Sequence, residues 1–172
     1  EVLYQKGADK GAPEGHRLVG PGLSFPVPPQ LRVPEKAPGT NQFGIVNYFY
    51  QNGSLNLYYH QGSQSSWTTT LVDTLTSFDD KRFGFAYNPA TGRPSISYQN
   101  GSTLYLASFN GTSWDRQTVS SNVQSGSSLA FNQAGVPIIA YGDSRSNLNV
   151  AYQQDGSWHS NTIQSGVIFV KD

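Results

Sequence analysis

Beyond residue 41, short runs rich in aliphatic, aromatic and β-branched residues alternate with clusters of Gly, Asn, Asp and Pro. Runs of this kind bounded by turn residues predict β-strands. Four are predicted in the middle of the chain: 83–87, 94–98, 103–109 and 113–119. The turns between them fall at Asn88-Pro89-Ala90-Thr91-Gly92, Asn100-Gly101 and Asn110-Gly111. An Asn-Gly pair between two such runs signals a type I′ hairpin, which needs φ > 0 at both central residues. A later set matches it, with strands at 129–131, 137–141, 148–152 and 158–163, the last following Asp155-Gly156. An earlier set enters late, at 45–50, 54–59 and 67–72. Its first strand is missing unless Leu31–Val33 supplies one, and 167–170 reads as the first strand of a further set.

The sets are written in nearly the same words. Tyr50-Gln51-Asn52-Gly53-Ser54 and Tyr98-Gln99-Asn100-Gly101-Ser102 are identical. Leu104-x-Leu106-Ala107 with Trp114 returns as Leu148-x-Val150-Ala151 with Trp158, 44 residues later. Gln124-Ser125-Gly126 returns as Gln164-Ser165-Gly166. A repeat of this length built from strands and turns predicts a β-propeller, one four-stranded blade per repeat. The expected fold is therefore all-β: about three four-stranded blades in permuted register, spanning 42–80, 81–126 and 127–164. Residues 165–172 would start a further blade or supply a closing strand. Single-chain propellers usually have about four to eight blades. Three therefore imply either part of a longer propeller or two copies forming a six-bladed ring. An open stack would leave bare edge strands that invite aggregation.

Residues 1–41 have a different character. They hold seven of the ten prolines, which exclude helix and central strand and favour extended chain. Leu18, Val19, Leu23, Phe25, Val27, Leu31 and Val33 are interspersed among them. So apolar an arm is expected to lie in a groove, its own or a neighbour's.

Charge narrows the function classes. Eleven basic and eleven acidic residues cancel, and only 13% of residues are charged. There is no basic field for nucleic acid or an anionic membrane. Ser, Asn, Gln, Thr and Gly supply the polarity, a balance that suits secreted or cell-surface β proteins. Cysteine is absent, which excludes disulfides, thiolate metal sites and cysteine nucleophiles. Methionine is absent too, so Glu1 is expected to begin a mature product or a fragment. No apolar run is long enough to span a membrane.

The stretch from Ser128-Leu129-Ala130-Phe131-Asn132 through Gly135-x-Pro137-Ile138-Ile139-Ala140-Tyr141, together with Gly156-Ser157-Trp158, resembles the repeats of large bacterial secreted and surface β-propeller proteins. These are distantly similar to sialidase and Asp-box repeats. The resemblance covers about residues 43–172. The Asp-box pattern is approximated only, by Gln154–Trp158 and Asn110–Trp114.

A sialidase-type site, as the resemblance implies it, would need three convergent arginines, a tyrosine nucleophile with a glutamate, and an aspartate. Residues 42–172 contain no glutamate. Arg93 precedes its predicted strand while Arg145 follows its own, so the two should lie at opposite ends of their sheets; Arg82 and Arg116 complete the set. The aspartates fall mostly at turns, where such residues usually bond their own backbone. His16, His60 and His159 lack metal-ligand spacing, and Asp79-Asp80-Lys81-Arg82 reads as a solvated loop. No catalytic residue, cofactor or metal site is expected. Trp67, Trp114 and Trp158 open the last strand of each set, as anchors between blades or as shelves for stacking sugars. Asn52, Asn100 and Asn110 each begin an Asn-Gly-Ser/Thr triplet, a turn signal that is also an N-glycosylation acceptor in a eukaryotic secreted chain.

The residues together favour a non-enzymatic extracellular structural or adhesive subunit. Its expected partners are copies of itself or other subunits, reached through the arm and the blade edges. A carbohydrate-binding propeller and a non-catalytic fragment of a larger propeller glycoside hydrolase are the alternatives.

Overall fold

In the computed structural model the described residues are 35–76 and 83–167, with the backbone of two short strands, β1 (Tyr4–Gln5) and β2 (Arg17–Leu18). β1 and β2 pair antiparallel. Everything else among the described residues is strand, turn or loop, with no helix.

Three four-stranded antiparallel sheets follow in chain order. Sheet I holds β3 (Glu35–Lys36), β4 (Phe43–Gln51), β5 (Ser54–Gly62) and β6 (Trp67–Leu75). Sheet II holds β7 (Gly84–Tyr87), β8 (Pro94–Asn100), β9 (Thr103–Phe109) and β10 (Trp114–Ser120). Sheet III holds β11 (Val123–Phe131), β12 (Pro137–Asp143), β13 (Leu148–Gln154) and β14 (Ser157–Gln164). Each is a meander in which neighbours in sequence are neighbours in the ladder. Among the described residues the sheets do not close into a ring.

The predicted strands of sheet II are recovered nearly residue for residue. β11 is longer than its apolar core, because Val123 N donates to Ser102 O (2.8 Å) and ties the strand's polar start to sheet II. The first set has its missing strand, but it is the short β3, paired through Glu35–Gly44 and Lys36–Phe43. Leu31–Val33 and most of the expected strand 167–170 lie outside the described residues. Val167 N, however, donates to Ser146 O (2.8 Å), the same bond that Val123 makes one repeat earlier.

The sheets stack face to face over two cores. One, between sheets I and II, contains Val46, Tyr48, Leu57, Tyr59, Phe85 and Ile96. The other, between II and III, contains Leu104, Leu106, Val119, Leu129, Ile139 and Tyr141. Each strand of sheet II points alternate side chains at both neighbours, so Ile96 and Ala107 face sheet I while Leu104 and Leu106 face sheet III. This explains why β8 is buried along nearly its whole length. β7 and β11 approach so closely that a Cβ on Gly84 would collide with the Leu129 backbone.

The identical pentapeptides fold differently. Gln51 pairs with Ser54, which leaves Asn52 (φ 52°) and Gly53 (φ 78°) as a two-residue type I′ turn. In sheet II Asn100 itself pairs with Thr103, and the turn is Gly101-Ser102, with only Gly101 (φ 61°) left-handed. This corrects the expected Asn100-Gly101 turn. Asn100 is held in the ladder by its side chain, whose Oδ1 accepts bonds from Thr76 N (2.9 Å) and Thr76 Oγ1 (2.8 Å). A one-residue shift reverses the faces of a strand. Tyr98 is fully buried while Tyr50 is 60% exposed. Asn110-Gly111 is also no type I′ turn: Asn110 opens a four-residue loop, where its Oδ1 accepts from Thr112 N and Ser113 N (both 2.9 Å).

Candidate functional site

The three tryptophans occupy one structural position, the start or near-start of the fourth strand of each sheet. Trp67 lies opposite Gly62, Trp114 opposite Phe109 and Trp158 opposite Gln153. Trp114 reaches back to sheet I, where its Nε1 donates to Thr70 Oγ1 (3.3 Å) and its ring meets Tyr59 edge-on at 5.4 Å. Trp158 reaches back to sheet II and donates to Gln117 Oε1 (3.2 Å). Thr70 and Gln117 are each three residues beyond the tryptophan of their own sheet, so the bond repeats in register. Trp67 is 46% exposed.

A second bond repeats as well. Tyr98 OH donates to Asp73 Oδ2 (2.8 Å), and its counterpart Tyr141 OH donates to Ser120 Oγ (3.1 Å). Asp73 and Ser120 both stand six residues after their sheet's tryptophan. Burial and the bond to Asp73 raise the Tyr98 pKa well above its ordinary range, so the phenol stays protonated. Asp73 also pairs with Arg116 and accepts from Thr74 N (2.9 Å).

Residues of β6, β10 and the loop before β10 line an open groove of about 510 Å3. Thr70 and Asp73 stand on one side; Phe109, Trp114 and Arg116 stand on the other. The Phe109 and Trp114 rings lie 5.4 Å apart. The groove combines an aromatic edge, hydroxyl groups and one ion pair. Sequence reasoning singled out Trp114 and named Arg116, but missed Thr70 and the pairing of Arg116 with Asp73, because a cross-sheet ion pair leaves no local pattern. The recurring offsets of three and six residues from each tryptophan were the available signal.

The remaining candidates are dispersed. Asn52 is exposed at its turn tip, Asn100 is committed to Thr76, and Asn110 also donates to Ser113 Oγ and Asp115 Oδ1 (both 3.0 Å). Arg93 precedes β8 and Arg145 follows β12, at opposite ends of equivalent strands. Asp143 organises its own loop, accepting from Arg145 N and Asn147 N (both 2.9 Å), and these bonds lower its pKa. His16, Arg82 and Asp79-Asp80 lie outside the described residues. Among the described residues no three His, Asp or Glu side chains group as metal ligands, and no helix is long and apolar enough to cross a membrane. No protein-family model matches this chain, and neither does any curated protein.

Proposed function

We propose that the three sheets are successive blades of a β-propeller and that the chain is a non-enzymatic structural or adhesive subunit, exported to an extracellular surface. The observation that carries this reading is the repeated cross-sheet bonding. Tryptophan and tyrosine tie each sheet to the one before it, at the same offsets, in two consecutive interfaces. Side chains that would be a binding platform in a solitary sheet are here used for stacking. The low share of charged residues, 13%, supports the exported half.

The N-terminal arm is the second element of this reading, docking its apolar residues along a neighbouring subunit. Deleting residues 1–34 spares β3. The expected outcome is a smaller assembly by light scattering with the far-UV circular dichroism of the sheets intact. Unchanged assembly would rule out the arm's role.

The groove beside Trp114 favours a second reading, a carbohydrate-binding propeller. An aromatic edge flanked by hydroxyls and an Arg–Asp pair is chemistry that suits a sugar ring. A glycan array compared with a Trp114→Ala variant tests it. Silence on the array removes this reading.

A further inference from the structure

The two interfaces within the chain define what each face of a sheet packs against, and they leave one face of each kind open. The fourth strand of every sheet carries one extra residue in a bulge, five positions after its tryptophan: Val72, Val119 and Ile163. Val72 is 7% exposed and Val119 9%, each covered by the following sheet. Ile163, at the same position on sheet III, is 62% exposed. Ile138 is exposed on the same face. At the other end, Trp67, Phe43, Phe49 and Leu71 are exposed on the face of sheet I that corresponds to the covered faces of II and III. The last matched position is Asn161, three residues after Trp158. It is exposed and offers the amide oxygen that would correspond to Thr70 Oγ1 and Gln117 Oε1.

We infer that sheet III of one copy of this chain stacks on sheet I of a second copy, with Trp67 of the second copy inserted against Asn161 and Ile163 of the first. The inference rests on the propeller reading above and names the surface through which assembly occurs. The occupant is a second copy because this pairing matches the two seen inside the chain. Sheet III presents the side chains of a following-side face, and sheet I presents those of a preceding-side face. None of the residues named carries a formal charge, so contact desolvates no unpaired ion. Such a contact is head-to-tail: the two surfaces differ, and two copies close only if the rotation allows. Sheet I departs from its siblings in the middle of this face. Asn47 and His60 stand where sheet II has Tyr98 and Ala107, and they bond to each other (2.8 Å). The face is thus satisfied internally at that point, and its exposed apolar groups surround the pair.

Light scattering on the full chain tests the inference. Wild type should run as a discrete oligomer, with about twice the 18.7 kDa chain mass if two copies close. Trp67→Asp and Ile163→Asp, both at exposed positions, should each give a monomer with unchanged far-UV spectrum. An equimolar mixture of the two should associate again, more weakly than wild type, because one junction with both intact faces remains. A mixture that stays monomeric, or a variant that associates like wild type, overturns the inference. If deleting residues 1–34 abolishes assembly while both face variants associate fully, the subunit role survives and this surface does not. A wild type that is monomeric up to its solubility limit overturns both; the face of sheet I is then covered from within the chain or left open.

Discussion

The Tyr48 hydroxyl is buried without a hydrogen-bond partner among the described residues, and the Tyr48 ring meets Phe83 in a T-shaped contact with centroids 5.2 Å apart. Burial raises its pKa far above the ordinary phenol range. An unpaired buried hydroxyl costs about 1–3 kcal/mol, so Tyr48→Phe should stabilise the fold by roughly 1 kcal/mol, read as a higher urea midpoint. His60 makes the opposite case. Both ring nitrogens are bonded, Nε2 to Asn47 Oδ1 and Nδ1 to Thr69 Oγ1 (both 2.8 Å), which suits the neutral ring. Burial lowers its pKa, so the unfolded chain takes up the proton first as pH falls. Stability from this group is complete above about pH 6.5 and declines below it, toward the lowered folded value. Urea midpoints measured from about pH 7.5 to about pH 5 should fall in wild type, and the slope should shrink in His60→Gln. Neither feature was legible in the sequence. Tyr48 looked like any alternating strand tyrosine, and His60 like a surface histidine, because their partners arrive from elsewhere in the sheet stack.

Strands were the most legible level. Alternation and turn residues placed the strands of sheet II closely, since each element's limits are set by its own residues. Turn type was not legible, because it depends on a tether from another sheet. The Asn100 side chain holds Thr76, and that bond moves the turn by one residue relative to its twin at Asn52. Asn52 needs a left-handed backbone and Asn100 does not. Asn52→Val should therefore cost about 1–2 kcal/mol through backbone strain alone. Asn100→Val should act through the lost bonds to Thr76 instead, and a double-mutant cycle with Thr76→Val should show coupling only at position 100. Gly84 is needed for space. A methyl there meets the Leu129 backbone and Ser97, so Gly84→Ala should destabilise by about 1–3 kcal/mol in urea titration.

At the scale of the molecule, stability resides in the interfaces as much as in the sheets. Trp114 and Trp67 are sequence equivalents with unequal surroundings, one clasped by Thr70 and Tyr59, the other exposed. In dilute solution Trp114→Ala should cost about 3 kcal/mol. Trp67→Ala should stay within about 0.5 kcal/mol under the same conditions. Near-equal losses would show that tryptophan stabilises each sheet separately. The sequence located these residues and left two roles open for them, because matched spacing alone does not reveal what lies opposite. For anyone who would build an idealised repeat from this chain, the shared Tyr-Gln-Asn-Gly-Ser phrase is a false alignment mark. Copying the first unit onto the second by that phrase would set the design one residue out of phase, with tyrosines meant for the interior turned to water.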